Sequence, residues 1–211
     1  MTPLGAAGSV GDVHRFVPGT AGWTLLLLHG TGGDENDLLP LGRELAPAAN
    51  LLAPRGPVLE HGMPRFFRRL AMGVFDLEDL RQRTAELGRF VRDAAARHRF
   101  DPARVTALGY SNGANIAASL LLSDGAALAG AVLLRAMLPF EPDRLPDLAG
   151  KPVFLAAGRR DPYAAQETVE ALAGHLRRAG AEVELRWTDG GHALEPAELD
   201  AAGVWLGKHA P

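Results

Sequence analysis

The 211-residue chain predicts an α/β fold: a mostly parallel, twisted sheet covered by helices on both faces. Three observations carry this. Apolar runs alternate with helix-length segments about six times along the chain. Runs such as Trp23 to His29 and Gly130 to Leu134 are apolar throughout, as strands buried on both faces should be. And Val105 to Leu108, an apolar run, leads through Gly109-Tyr110-Ser111-Asn112-Gly113 into the small-residue, helix-permissive run Ala114 to Leu122. Right-handed crossovers put the loops that follow such strands on one edge of the sheet, where ligands bind in open α/β folds.

The elements follow in order. Residues 1–12, rich in Gly, Ala and Ser, are expected to form a loose arm before a single domain of residues 13–211. Val13 to Val17 reads as a short edge strand ended by Pro18-Gly19. Trp23 to His29 is the first buried strand, and Gly30-Thr31-Gly32-Gly33 makes a flexible loop after it. Asp37 to Ala46 is expected to be a helix with Asp37 at its N-cap and Pro47 beyond its end. Asn50 to Ala53 is the next strand, stopped by Pro54. Arg55 to Val74, broken by Pro and Gly, reads as a long loop carrying a basic-aromatic cluster, Arg65-Phe66-Phe67-Arg68-Arg69. Asp76 caps a helix over Leu77 to His98, in which Leu77, Leu80, Leu87 and Val91 recur at helical spacing. Asp101-Pro102 turns the chain into Val105 to Leu108. Gly130 to Leu134, Pro152 to Ala157 and Val183 to Trp187 are the remaining strands. Ala165 to Ala179, ending at Gly180, and Pro196 to His209 are the remaining helices.

Composition excludes several classes of function. A net charge of −3 offers no basic field for nucleic acid or an anionic membrane. The chain has no cysteine, which removes disulfides, thiol catalysis and thiolate metal sites together. No paired His/Asp cluster has metal-ligand spacing. The N-terminus lacks the basic-then-apolar design of a signal peptide, and Leu25 to Leu28 is far too short to span a bilayer, so a cytoplasmic location is the default.

The chemistry concentrates in loops that follow strands. Gly109-Tyr110-Ser111-Asn112-Gly113 matches G-x-S-x-G in the strand–turn–helix setting that the pattern requires. The loop after Pro152–Ala157 carries Asp161, and the loop after Val183–Trp187 carries His192. Serine is a poor nucleophile until a base takes its proton; histidine is the suitable base near neutral pH, and a carboxylate fixes its tautomer. Ser111, Asp161 and His192 are therefore the candidate catalytic residues, in the chain order of the α/β-hydrolases. His61 is the rival base and Asp189 the rival carboxylate. Read blandly, Asp161 is an Asp-Pro turn former and His192 a surface histidine. The oxyanion hole is expected from the backbone amides of Asn112 and of Thr31, with Gly32 as second choice in that loop. Gly30–Gly33 lacks both the Walker ending and the G-x-G-x-x-G spacing of phosphate loops.

Leu28-His29-Gly30-Thr31-Gly32-Gly33-Asp34-Glu35, Gly109 to Asn115, Asp161-Pro162 and Gly191-His192 resemble the small phospholipase/carboxylesterase branch of the α/β-hydrolases. That branch includes acyl-protein thioesterases and bacterial carboxylesterases, and the resemblance runs from about Trp23 to the end. Arg65 to Arg69 and Gly73 to Leu80 are similar to the bacterial subgroup associated with hydroquinone or quinone stress. Ala136 departs from it, standing where subgroup members often carry proline. The resemblance implies a minimal hydrolase without a large cap domain and with a shallow, loop-lined acyl pocket. Candidate substrate contacts are Leu38, Phe67, Phe75, Met137 and Leu194, with Arg68 from the basic cluster. Arg65, Arg68 and Arg69 either hold an anionic or aromatic substrate group or form ion pairs with Asp76, Glu78 and Asp79, the latter being the default for surface charges.

The expected function is a serine carboxylesterase working through an acyl-enzyme on a small-molecule ester. The alternatives are an acyl-thioesterase or lysophospholipase, or a non-catalytic ligand-binding or sensing module. No metal or organic cofactor is required. Neither nucleic acid nor membrane is an expected partner, and a homodimer is the assembly left open.

Overall fold

The computed structural model describes residues 8–211. A seven-stranded sheet is built from β1 (His14–Val17), β2 (Thr24–Leu28), β3 (Asn50–Pro54), and, later in the chain, β8 (Val105–Tyr110), β9 (Gly130–Leu134), β10 (Pro152–Gly158) and β11 (Glu182–Thr188). Its order is β1-β3-β2-β8-β9-β10-β11. Only the edge strand β1 runs antiparallel, against β3; the other neighbours are parallel. The all-apolar runs are buried on both faces as their composition demands: Leu25, Leu26, Leu27 and Leu28 are essentially inaccessible.

Helices α1 (Leu39–Leu45) and α5 (Pro196–His209) cover one face, packing Leu45, Trp205 and Leu206 against Leu25, Leu27 and Phe154. Helices α2 (Leu77–His98), α3 (Asn112–Ser123) and α4 (Gln166–Arg178) cover the other, with Leu80, Leu87, Ile116, Leu121 and Leu172 in one cluster with Leu26 and Leu155. Asp76 caps α2 by accepting from the Asp79 amide at 3.1 Å. That bond, with the Arg68 guanidinium beside it, holds the Asp76 carboxyl below its ordinary range.

Two expectations are corrected. Asp37 does not cap α1. The chain first turns through Asp34–Asp37, and the helix starts at Leu39, where Pro40 suits the first turn; its N-cap, Leu38, makes no side-chain cap bond. Arg55 to Val74 is not a structureless loop. It folds into two hairpins, β4 (Val58–Glu60) with β5 (Met63–Arg65), and β6 (Arg69–Ala71) with β7 (Val74–Phe75). His61-Gly62, both at positive φ, turns the first, and Gly73 at φ 72° the second. Of the N-terminal segment, residues 1–7 lie outside the described residues. Val10 is buried, and Arg83 donates to the Gly8 carbonyl at 2.7 Å.

The parallel register aligns the strand ends. Leu28 pairs with Gly109, Tyr110 with Leu134, and Gly158 with Thr188. The loops that leave β2, β8, β9, β10 and β11 therefore open at one edge. Asp76→Ala is expected to lower the unfolding free energy by about 1 kcal/mol. The deficit, read from urea unfolding, shrinks in acid as the native carboxyl protonates, because a depressed carboxylate stabilises only above its folded pKa.

Candidate active site

Ser111 sits between the end of β8 and the start of α3 with φ 52° and ψ −114°, a conformation that non-glycine residues rarely adopt. The flanking glycines allow it. A Cβ on Gly109 would strike the backbone of Gly113 and Ala114, and one on Gly113 would strike the Leu28 carbonyl. The Ser111 amide donates to the Leu134 carbonyl at 2.9 Å, anchoring the turn to β9.

Ser111 Oγ lies 2.9 Å from His192 Nε2, and His192 Nδ1 lies 2.8 Å from Asp161 Oδ2. A carboxylate only accepts, so the proton rests on Nδ1 and Nε2 is free to accept from the serine hydroxyl. The Asp161 side chain is 1% exposed, and its second oxygen accepts from the Tyr163 amide at 2.9 Å. The Tyr163 ring stands edge-on to the imidazole at 4.8 Å. The rivals stand elsewhere. Asp189 is almost fully exposed opposite Arg159, and His61 is an exposed hairpin-turn residue.

The loop after β2 closes the other side. His29 is buried; its Nδ1–H donates to the Gly30 carbonyl at 2.7 Å, and its Nε2 accepts from the Gly56 amide at 2.9 Å. Burial pushes its pKa down. Three successive residues at the exit of the first hairpin then tie this loop to α3. The Gly32 amide donates to the Pro64 carbonyl at 3.0 Å. Arg65 donates to Thr31 Oγ1 at 2.8 Å. The Phe66 amide donates to Asn112 Oδ1 at 2.7 Å. Gly32 is thereby committed to Pro64, whereas the Thr31 and Asn112 amides have no acceptor among the described residues.

A cavity of about 250 Å³ opens over Ser111. Phe75 and Met137 line it, as expected, and the Met137 amide is held by Asn115 Oδ1 at 2.9 Å. Four other expected contacts do not. Leu38 and Leu194 pack toward the α1–α5 cluster, and Phe67 is fully buried against Phe75. Arg68 does not line the cavity and pairs with Asp76 and Asp79, at 3.0 and 3.7 Å. The basic cluster divides: Arg65 and Arg69 do line the cavity, and both pair with Glu60, at 3.2 and 2.8 Å.

Sequence reading missed Tyr110, Tyr163, Met72 and above all Arg135, which line the cavity too. Arg135 takes φ 61° directly after β9, and its side chain is inaccessible to solvent. It makes a bidentate pair with Glu198 of α5, both bonds at 2.6 Å. Its only sequence signal is a charge abutting five apolar residues, which reads as an ordinary strand end.

Comparison with known proteins places the chain. Residues 69–200 match the model of the dienelactone hydrolase family. The chain is 53% identical over 192 residues to the Bacillus subtilis (strain 168) protein named "Putative hydrolase MhqD", covering 91% of this chain and 96% of that one. Among solved structures, the Bacillus cereus carboxylesterase superposes with a TM-score of 0.91 at 49% identity, covering 93% of each chain. YahD, determined with malic acid, superposes with a TM-score of 0.88 at 32% identity, covering 92% of this chain and 98% of that one. The fold is that of the α/β-hydrolase esterases.

Because the His29 pKa is depressed, the unfolded chain binds the extra proton first as pH falls below 6.5. The stability that neutral His29 contributes is complete above that value and is lost in acid. His29→Gln keeps an acceptor for Gly56 without a titrating ring. Its thermal midpoint should fall less than that of the wild type between about pH 7 and about pH 5. Parallel decline of the two proteins would show that His29 carries none of the acid sensitivity.

Proposed function

The chain belongs to the dienelactone hydrolase family, and on that premise we propose that it is a serine carboxylesterase acting on small carboxylic esters. The observation that carries the proposal is the unbroken hydrogen-bond chain from Ser111 through His192 to Asp161, opening on a cavity. Ser111 Oγ attacks the ester carbonyl while His192 Nε2 takes the hydroxyl proton, and the buried Asp161 carboxylate stabilises the imidazolium. Negative charge gathers on the former carbonyl oxygen and is met by the amides of Thr31 and Asn112, helped by the N-terminal dipole of α3. The tetrahedral intermediate expels the alcohol, which takes its proton from His192. Water, deprotonated by the same ring, then attacks the acyl-enzyme, and Ser111 is restored with the acid as product.

The machinery would cleave a thioester or a lysophospholipid equally well in principle. A cavity of about 250 Å³ favours short acyl groups over long ones, and so the small ester. The charge of the cavity supports a finer reading. Its lining residues include Arg65, Arg69 and Arg135 and no carboxylate. Glu198 neutralises Arg135, but Arg65 and Arg69 share Glu60 between them, leaving one positive charge in excess. Esters that also bear a carboxylate suit such a wall. YahD, 32% identical to this chain, was determined with malic acid, a dicarboxylic acid rather than an ester.

Wild type is expected to hydrolyse short nitrophenyl esters and Ser111→Ala to lose at least about 10³-fold in kcat. A fluorophosphonate should label Ser111; equal rates for the two proteins, or labelling elsewhere, would remove the serine mechanism. Arg69→Gln should raise KM for a monoester of a dicarboxylic acid about tenfold more than for the neutral ester of equal length, as loss of one charge-assisted contact requires. An equal change for both esters would exclude Arg69 from recognising the carboxylate.

A further inference from the structure

The mechanism requires His192 to present Nε2 to Ser111 and Nδ1 to Asp161 at the same time. Yet His192 stands in a stretch, residues 189–195, that belongs to no helix or strand. Such backbone keeps one shape only if its polar groups are held from outside. Three consecutive carbonyls of this stretch are held in that way. Arg135 Nε donates to the Gly191 carbonyl at 2.9 Å, the Tyr110 hydroxyl to the His192 carbonyl at 3.1 Å, and Arg135 Nη2 to the Ala193 carbonyl at 2.7 Å.

We propose that Arg135, braced by Glu198, is the positioning residue that sets His192 against Ser111 and Asp161; the inference rests on the serine-esterase reading above. The guanidinium is used almost to capacity. Four of its five N–H bonds are engaged, two on the histidine loop and two on the Glu198 carboxylate. The planar fork makes this possible, and an ammonium could not reproduce it. Glu198 Oε2 also accepts from the Glu195 amide at 3.2 Å, so the brace is itself built into the start of α5. On the other side, Leu134, the residue before Arg135, accepts the Ser111 amide. The nucleophile and the base are thus joined by a short rigid path: Ser111 backbone, Leu134, the Arg135 side chain, the His192 loop.

The conformation of Arg135 agrees with this role. A core position at the end of a buried strand has no need of a charge, and an apolar pair of similar volume commonly packs as well as a buried ion pair. Arg135 instead adopts φ 61°, held by the hydrogen bond that its backbone N–H donates to the Ala156 carbonyl at 2.9 Å, and turns back toward the loop. Gly158 leaves room for that loop, since a Cβ there would strike the carbonyls of Gly190 and Gly191.

The test compares Arg135→Lys with wild type per active site, counted by fluorophosphonate titration. A nitrophenyl ester is the substrate, and thermal unfolding reports the folded fraction. Displacing the base by about 1 Å costs on the order of 10²-fold. The expected result is therefore a kcat per labelled site lower by about 10- to 10²-fold with KM within about 3-fold. A purely structural role would instead reduce the number of active sites and leave kcat per labelled site unchanged, and that result overturns the proposal. If Arg135→Lys does not fold, Tyr110→Phe, which deletes one hydroxyl, and Glu198→Gln decide it by the same readouts. The proton NMR signal of His192 Nδ1–H reads positioning without turnover. It should be present in wild type and broadened or lost in Arg135→Lys. If wild type neither turns over nor labels at Ser111, the esterase reading fails; an unchanged signal in the variant fails the positioning role alone.

Discussion

How closely the helix after Ser111 approaches the sheet governs the rest of the site. With no side chain at Gly109 or Gly113, α3 begins within one residue of β8 and lies against the carbonyl of Leu28. That contact does two things at once. It forces the strained backbone that lifts the Ser111 hydroxyl clear of the sheet. It also brings the free amide at the start of α3 beside the loop leaving β2, so that Thr31 and Asn112 face the same cavity. A bulkier turn would separate the Ser111 hydroxyl from the Thr31 and Asn112 amides before any other residue mattered.

Around this turn the site is built largely from irregular backbone, and hydrogen bonds from neighbouring segments hold much of it in place. His29 spans the Gly30 and Gly56 backbones, Pro64 to Phe66 bridge the β2 loop to α3, and Arg135 and Tyr110 hold three carbonyls beside His192. Burying ionised groups is costly unless each is paired and hydrogen-bonded. Arg135 with Glu198, and Arg65 with Glu60, meet that condition. Removing one member of the fully buried Arg135–Glu198 pair costs about 3–5 kcal/mol, because the other is left charged in the interior.

Most of the architecture was legible in the sequence because periodicity and punctuation agree there. The apolar strands, the Asp76 cap with its long helix, and the Pro196 start of the last helix all match. So does the placement of Ser111, Asp161 and His192 on neighbouring strand-end loops. What was not legible depends on distance in the chain. Arg135 and Glu198 are 63 residues apart, and nothing local to either announces the other. Strands of two or three residues in the hairpins are too short to show alternation, and their Gly-containing turns resemble loop. Leu38, Phe67 and Leu194 were assigned to the cavity on apolar character alone, which does not distinguish the wall of a pocket from the core behind it.

The two hairpins stand apart from the main sheet, each strand pairing only with its own partner. They nevertheless furnish Arg65, Arg69, Met72 and Phe75 to the cavity. Because loop-closure entropy grows only slowly with length, residues added or removed at either tip would reshape the opening at small cost and without shifting any register in the sheet. The hairpin tips at the mouth of the cavity and the Ser111–His192–Asp161 hydrogen-bond chain are therefore encoded in different stretches of chain. A change of length at a hairpin tip thus alters the shape of the opening and leaves that hydrogen-bond chain untouched.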